Sequence, residues 1–255
     1  MLFDSHAHLD DARFDKDREQ ILKNAKENGI TYIMNPGADF ETSVKAVELA
    51  SQYDMVYAAV GVHPHDAKDM DEMTLALLKG LAKKPKVKAI GEIGLDYHYD
   101  HSPRDIQKEW FKRQIQLAKT IALPIIIHDR EANEDVMRIL KKEKAFDTGV
   151  VLHCYSGSAE LAKQYTKLGA YISIAGPLTY KNARKTVEVV DTIPLEYLFI
   201  ETDSPYLTPM PHRGKRNEMA YVRYVAEKIA EIKKCSLEEV AYQTTENAKR
   251  FFRIK

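Results

Sequence analysis

Leu2-Phe3-Asp4-Ser5-His6-Ala7-His8-Leu9 opens the chain with two imidazoles spaced two residues apart. Alternate residues of an extended strand face the same side, so His6 and His8 aim at one point. Neutral imidazole is the commonest side-chain metal ligand, and a pair at a strand end predicts a metal site. The competing reading is a pair of structural histidines. It requires partners for both rings, because each unpaired buried polar group costs about 1–3 kcal/mol.

Further along, the same arrangement recurs. Val87-Lys88-Ala89-Ile90-Gly91-Glu92, Pro124-Ile125-Ile126-Ile127-His128 and Val150-Val151-Leu152-His153 are strand-like runs that end in a ligand-type residue. Tyr197-Leu198-Phe199-Ile200-Glu201-Thr202-Asp203 ends in a carboxylate. Strands are expected near 2–8, 30–35, 55–61, 87–92, 124–128, 149–153, 170–174 and 197–202, where β-branched and aromatic residues concentrate. Amphipathic stretches separate them. In 104–121 the pattern predicts a helix with Ile106, Trp110, Ile115, Leu117 and Ile121 on its apolar face. Asn28-Gly29 and Leu168-Gly169 read as helix C-termini, and Ser236-Leu237-Glu238-Glu239 as a capping box.

Eight strand signals, each followed by a helix signal, predict an α/β protein of the (β/α)8 TIM-barrel class. A single domain over 1–255 is expected, since nothing reads as an interdomain linker. A doubly wound open sheet is the rival, but it gives no reason for ligand-type residues at so many separate strand ends. In a barrel those ends share one mouth, so residues far apart in sequence can converge on one ion.

The bulk composition sets limits on partners. Apolar residues make up 44% and charged residues 30%, as in a globular protein with a sizeable core. Basic and acidic residues balance at 38 each, so no global positive field draws in a polyanion, and any such binding must be local. Two distant cysteines without C-x-x-C spacing, Cys154 and Cys235, do not indicate a disulfide scaffold or zinc ribbon. Cys154 reads as a small buried residue. Neither a leader sequence nor a membrane-length apolar run is visible, so no membrane partner and a cytoplasmic location are expected.

The chemistry concentrates at a few positions. Glu92 follows an apolar strand, and a buried carboxylate is costly unless paired or bound to metal. Its two oxygens can bridge two ions. A lone histidine is more often structural, but His128 and His153 at the ends of successive strands point to ligands. Asp203, where Pro205 stops the strand, is placed to coordinate weakly and to serve as general base to a polarised water. Glu201 is a supporting carboxylate. In Gly61-Val62-His63-Pro64-His65, His63 and His65 are candidates to touch substrate or to donate to a leaving oxygen. Arg213, Lys215 and Arg216 form the densest basic cluster at the expected mouth and suit phosphate contact.

Taken together, these stretches resemble the TatD family of metal-dependent deoxyribonucleases, among the amidohydrolase-like barrel hydrolases. The resemblance is carried by Asp4-Ser5-His6-Ala7-His8-Leu9, Gly61-Val62-His63-Pro64-His65, Gly91-Glu92-Ile93-Gly94-Leu95-Asp96-Tyr97 and Ile127-His128. It continues through His153-Cys154-Tyr155-Ser156-Gly157, Glu201-Thr202-Asp203-Ser204-Pro205-Tyr206-Leu207 and Arg213-Gly214-Lys215-Arg216-Asn217. It implies one or two divalent ions. His6, His8 and Asp203 would hold the first, and Glu92, His128 and His153 the second. It also implies magnesium- or manganese-dependent hydrolysis of DNA phosphodiesters with 3′ to 5′ exonuclease character. In that setting Tyr206 and His63 would touch sugar or base. A donor set with four histidines suits zinc, manganese or nickel better than magnesium, which prefers oxygen. Two other readings stand beside this one: an amide, ester or small phosphoester hydrolase, and a non-catalytic barrel that binds metal or a partner.

Overall fold

The computed structural model describes residues 1–255. Its strands are β1 (Leu2–Asp4), β2 (Ile30–Pro36), β3 (Val56–Val60), β4 (Val87–Asp96), β5 (Ile125–Arg130), β6 (Val150–Leu152), β7 (Tyr171–Ile174) and β8 (Leu198–Ile200). The intervening helices are α1 (Arg18–Glu27), α2 (Phe40–Gln52), α3 (Glu72–Leu81), α4 (Arg104–Ile121), α5 (Asn133–Lys142), α6 (Ala159–Lys167) and α7 (Arg184–Thr192). Two more, α8 (Val222–Lys233) and α9 (Leu237–Phe252), follow β8. The strands form one sheet in the order β1 to β8, and the β1–β2, β3–β4, β4–β5, β5–β6 and β7–β8 pairs run parallel. This is the (β/α)8 class that the alternating pattern predicts. Ile125–Ile127, Val150–Leu152 and Leu198–Ile200 are buried throughout, as expected for parallel strands covered on both faces. No helix is long and apolar enough to cross a membrane.

By contacts the chain divides into two compact units, one of Met1–Asn35 with Cys154–Lys255 and one of Pro36–His153. In the first unit α9 packs Phe251 and Phe252 against Phe199 and Phe3. Ser236 caps α9 by accepting the Glu239 N–H at 3.1 Å. Gly29 and Gly169 follow α1 and α6 at positive φ, the left-handed turn expected at those C-termini. β1 stops at Asp4, earlier than expected, so His6 and His8 lie beyond the regular strand. A single parallel bridge between Ala7 and Ser204 carries the alignment forward. Asp4 locks the two segments: the Thr202 hydroxyl and amide donate to its oxygens at 2.6 and 2.8 Å. Burial pushes the Asp4 carboxyl up to about 8, against these hydrogen bonds.

In the second unit α4 spans the predicted 104–121, but its inward face differs from the one expected. Trp110 and Ile106 are only half-buried, whereas Gln107 and Gln114 lie inside with Phe111 and Ile115. The glutamines face inward because each satisfies backbone groups at a strand end. Gln114 Oε1 accepts the Val62 N–H at 2.8 Å and its Nε2 donates to the Val62 carbonyl at 3.0 Å. Gln107 makes the equivalent pair with Asp96, accepting its N–H at 2.9 Å and donating to its carbonyl at 3.1 Å. β4 runs past Glu92 to Asp96, and Gly94 lets it lie close to β5. A Cβ at Gly94 would fall 1.9 Å from the His128 carbonyl oxygen, and its φ is +149°.

Candidate metal centre

In the first unit His6, His8 and Asp203 converge. His6 Nε2 lies 3.3 Å from His8 Nε2, and Asp203 Oδ1 lies 3.9 and 3.5 Å from them. Two donors at about 2.1 Å from one ion, 90–109° apart, are separated by about 3.0–3.4 Å. The histidine pair meets this spacing, and the carboxylate lies just outside it, consistent with a weaker ligand. Asp203 adopts a left-handed conformation, φ +54°, uncommon outside glycine and found at functional sites. Its N–H donates to the His6 carbonyl at 2.9 Å, which fixes the turn. Glu201 is buried, and Oε1 accepts the Cys154 N–H at 2.7 Å and Oε2 the Ser173 hydroxyl at 2.5 Å.

In the second unit Glu92 Oε1 lies 2.8 Å from both His128 Nδ1 and His153 Nε2, and these two nitrogens are 3.4 Å apart. The two nitrogens meet the spacing of donors to one ion, while Glu92 sits at hydrogen-bonding distance from both. His63 Nε2 faces the same oxygen at 3.5 Å, which makes His63, Glu92 and His128 a further metal-capable set. Yet His63 Nδ1 accepts the His65 N–H at 3.2 Å, so the neutral ring carries its proton on Nε2. It therefore presents an N–H, not a lone pair, to the cluster. Burial and the neighbouring His128 push His63 down to about 4, which keeps it neutral near pH 7.

Asp96, unassigned by the sequence reading, orders this centre. Its Oδ2 lies 3.0 Å from His128 Nε2 and 3.0 Å from His65 Nε2, while Oδ1 accepts the His98 and Tyr99 N–H groups. A carboxylate on the far nitrogen of a ligand histidine fixes the tautomer and aims the other nitrogen inward. Burial works to raise the Asp96 carboxyl. The hydrogen bonds from His128, Tyr99 and His65 outweigh it and hold the group well below the usual carboxylate range. Burial likewise depresses His128, but bonds to Asp96 and Glu92 leave it above its ordinary value.

The basic loop after β8 is less uniform than its sequence. Arg216 is committed to Asp17, with bonds at 2.5 and 3.0 Å, and also donates to the Arg13 carbonyl. Arg213 lies over the Tyr180 ring, 4.3 Å from its centroid. Lys215 is exposed. Tyr206 is half exposed beside the first cluster, 6.2 Å from the His8 ring and stacked by Arg13 at 4.3 Å. A cavity of about 450 Å³ lined by Leu2, Gly29, Leu237 and Tyr242 lies at the start of β1 and holds none of these groups. In this fold, chemistry belongs at the opposite, C-terminal strand ends.

Known proteins share this framework. The family model described as TatD related DNase matches residues 3–253. The chain is 55% identical over 254 residues to YabD of Bacillus subtilis (strain 168), named as an uncharacterized metal-dependent hydrolase, with 100% of both chains covered. It is 33% identical to a protein of Erwinia tasmaniensis named 3′-5′ ssDNA/RNA exonuclease TatD, covering 99% of this chain and 100% of that one. Among solved structures, the TatD homologue YJJV of Escherichia coli K12 superposes with a TM-score of 0.94 at 31% identity, covering 100% of this chain and 98% of that one. On sequence and fold alike, the chain belongs to the TatD-related family of metal-dependent hydrolases.

Proposed function

We propose that the chain is a divalent-metal-dependent phosphodiesterase that shortens single-stranded DNA from its 3′ end. The observation that carries this reading is the pair of candidate groups, His6/His8/Asp203 and Glu92/His128/His153, each of which brings two imidazole nitrogens 3.3–3.4 Å apart beside a carboxylate oxygen within 3.9 Å. The Erwinia relative, an exonuclease by name, supports the substrate class. Divalent ions held by these groups supply Lewis-acid stabilisation of charge on the phosphate and lower the pKa of water. Manganese, zinc and nickel suit four imidazoles, and magnesium is the harder fit.

The residues then divide the work. Asp203 takes the proton from the attacking water as general base. His63 offers its Nε2–H to the phosphate or the departing oxygen, with His65 beside it on Asp96. Arg213 and Lys215 steady the phosphate backbone, and Tyr206 contacts sugar or base. Arg216 is left out because Asp17 already neutralises it. The test is turnover of end-labelled single strands with added manganese. Asp203→Ala and Glu92→Ala should each fall at least about 100-fold. Activity equal to wild type in both would refute the assignment.

A further inference from the structure

Between β4 and α4 the chain presents an exposed group of rings that the reading above leaves unused. Tyr99 is 49% exposed. The His101 ring lies parallel to it at 9°, with centroids 5.4 Å apart. The Arg130 guanidinium, two residues past His128 on β5, sits 4.7 Å from the Tyr99 centroid. An exposed tyrosine usually reflects only a lack of room in the core. Here the backbone around it is held in place. The His98 and Tyr99 amides donate to Asp96 Oδ1 at 3.0 and 2.9 Å, on the carboxylate whose other oxygen orients His128. Arg104 ties the far side of the loop by donating to Asp100 at 2.7 Å and to the Tyr97 carbonyl at 3.2 Å. The His65 ring bridges inward, 5.5 Å from Tyr99 and 4.3 Å from His63. The rings are thus fixed relative to the ligand cluster.

Aromatic faces with an adjacent cation are how proteins hold unpaired bases without reading their sequence, since every base has a π-face. We propose that Tyr99 and His101, backed by Arg130, form a stacking platform for an unpaired nucleobase of the strand being cut. The platform rests on the phosphodiesterase reading and deepens it, because it makes single-strandedness a requirement: a base within a duplex offers no free face.

The experiment compares kcat/KM on single strands bearing either normal nucleotides or one abasic site at each of the three terminal positions, with manganese present. Wild type should disfavour an abasic site at one position by about five- to 150-fold. Tyr99→Ala should bring that ratio close to one, and Tyr99→Trp should keep it. If Tyr99→Ala slows normal and abasic strands equally, the residue only holds the Asp96 loop and the platform is overturned. If wild type cuts the strands but ignores abasic sites at every position, the platform fails while the phosphodiesterase reading stands. If wild type cuts no strand, both fall.

Discussion

Asp96 joins His128, His65 and the 98–99 backbone through one carboxylate, so its replacement separates orientation from ligation. Asp96→Asn keeps the size but puts an amide donor against ring nitrogens, and lost support of this kind typically costs 10- to 100-fold in metal affinity. Manganese titration by calorimetry should show that loss with the protein folded, and wild-type affinity would remove Asp96 from the site. The candidate ligands were legible in the sequence because His6, His8, Glu92, His128 and His153 each close a local strand pattern. Asp96 escaped because its imidazole partners lie 31 and 32 residues away. The available signal was its even spacing from Glu92 along one strand, which sets both on the same face. Asp129 gives a pH prediction of the same kind. Its buried oxygens make no full hydrogen bond, and burial pushes it up to about 7 although the Ala132 amide opposes this. The folded state thus holds the proton more tightly than the unfolded chain, whose value is 3.8. Stability from this group is fully present below pH 3.8 and is lost as pH rises through about 7. The loss is at most about 4 kcal/mol. Asp129→Asn should flatten the fall in urea stability between pH 5 and 8, and an unchanged slope would show that the carboxyl titrates normally.

At the scale of elements, α4 shows where periodicity misleads. Its limits follow from the apolar repeat, but a hydrophobic pattern gives no weight to glutamine, and two glutamines face inward to complete strand ends. β1 and β8 end at Asp4 and Ile200, sooner than the expected 2–8 and 197–202, which leaves His6, His8 and Asp203 on irregular backbone just beyond them. Gln114→Leu conserves bulk and helix propensity while stranding the Val62 N–H and carbonyl next to His63. Two buried polar groups without partners should cost about 2–5 kcal/mol in urea unfolding and weaken turnover besides. A loss below about 0.5 kcal/mol would mean that water or a shifted strand replaces the amide. Gly94→Ala tests the close strand approach. With a carbonyl oxygen 1.9 Å from the new methyl and φ at +149°, β4 and β5 must separate, and metal affinity should fall with stability.

For the whole molecule, repetition was the legible feature. Eight strand–helix alternations fixed the class, and in that class chemistry gathers at the C-terminal ends of the strands. Composition gave less, since equal charge totals hide how the cations are distributed, with Arg216 tied to Asp17 and Lys215 exposed. On the proposed reading, the two candidate groups would make folding and metal binding one linked equilibrium. An ion that binds only the folded chain stabilises it by about 2.7 kcal/mol per site at 100 times its Kd. In a chain of this size each kcal/mol raises Tm by about 2–4 °C, so each filled group is worth roughly 5–10 °C. Chelation should therefore lower Tm, and manganese should restore it in a concentration-dependent way. His6→Ala with His8→Ala should retain only the increment due to the Glu92 group, and Glu92→Gln with His153→Ala only that due to the Asp203 group. The two increments should sum to the wild-type shift if the groups bind independently. Calorimetric scans of the chelated and manganese-loaded proteins decide the matter, and a Tm indifferent to manganese in wild type would leave neither group a metal site.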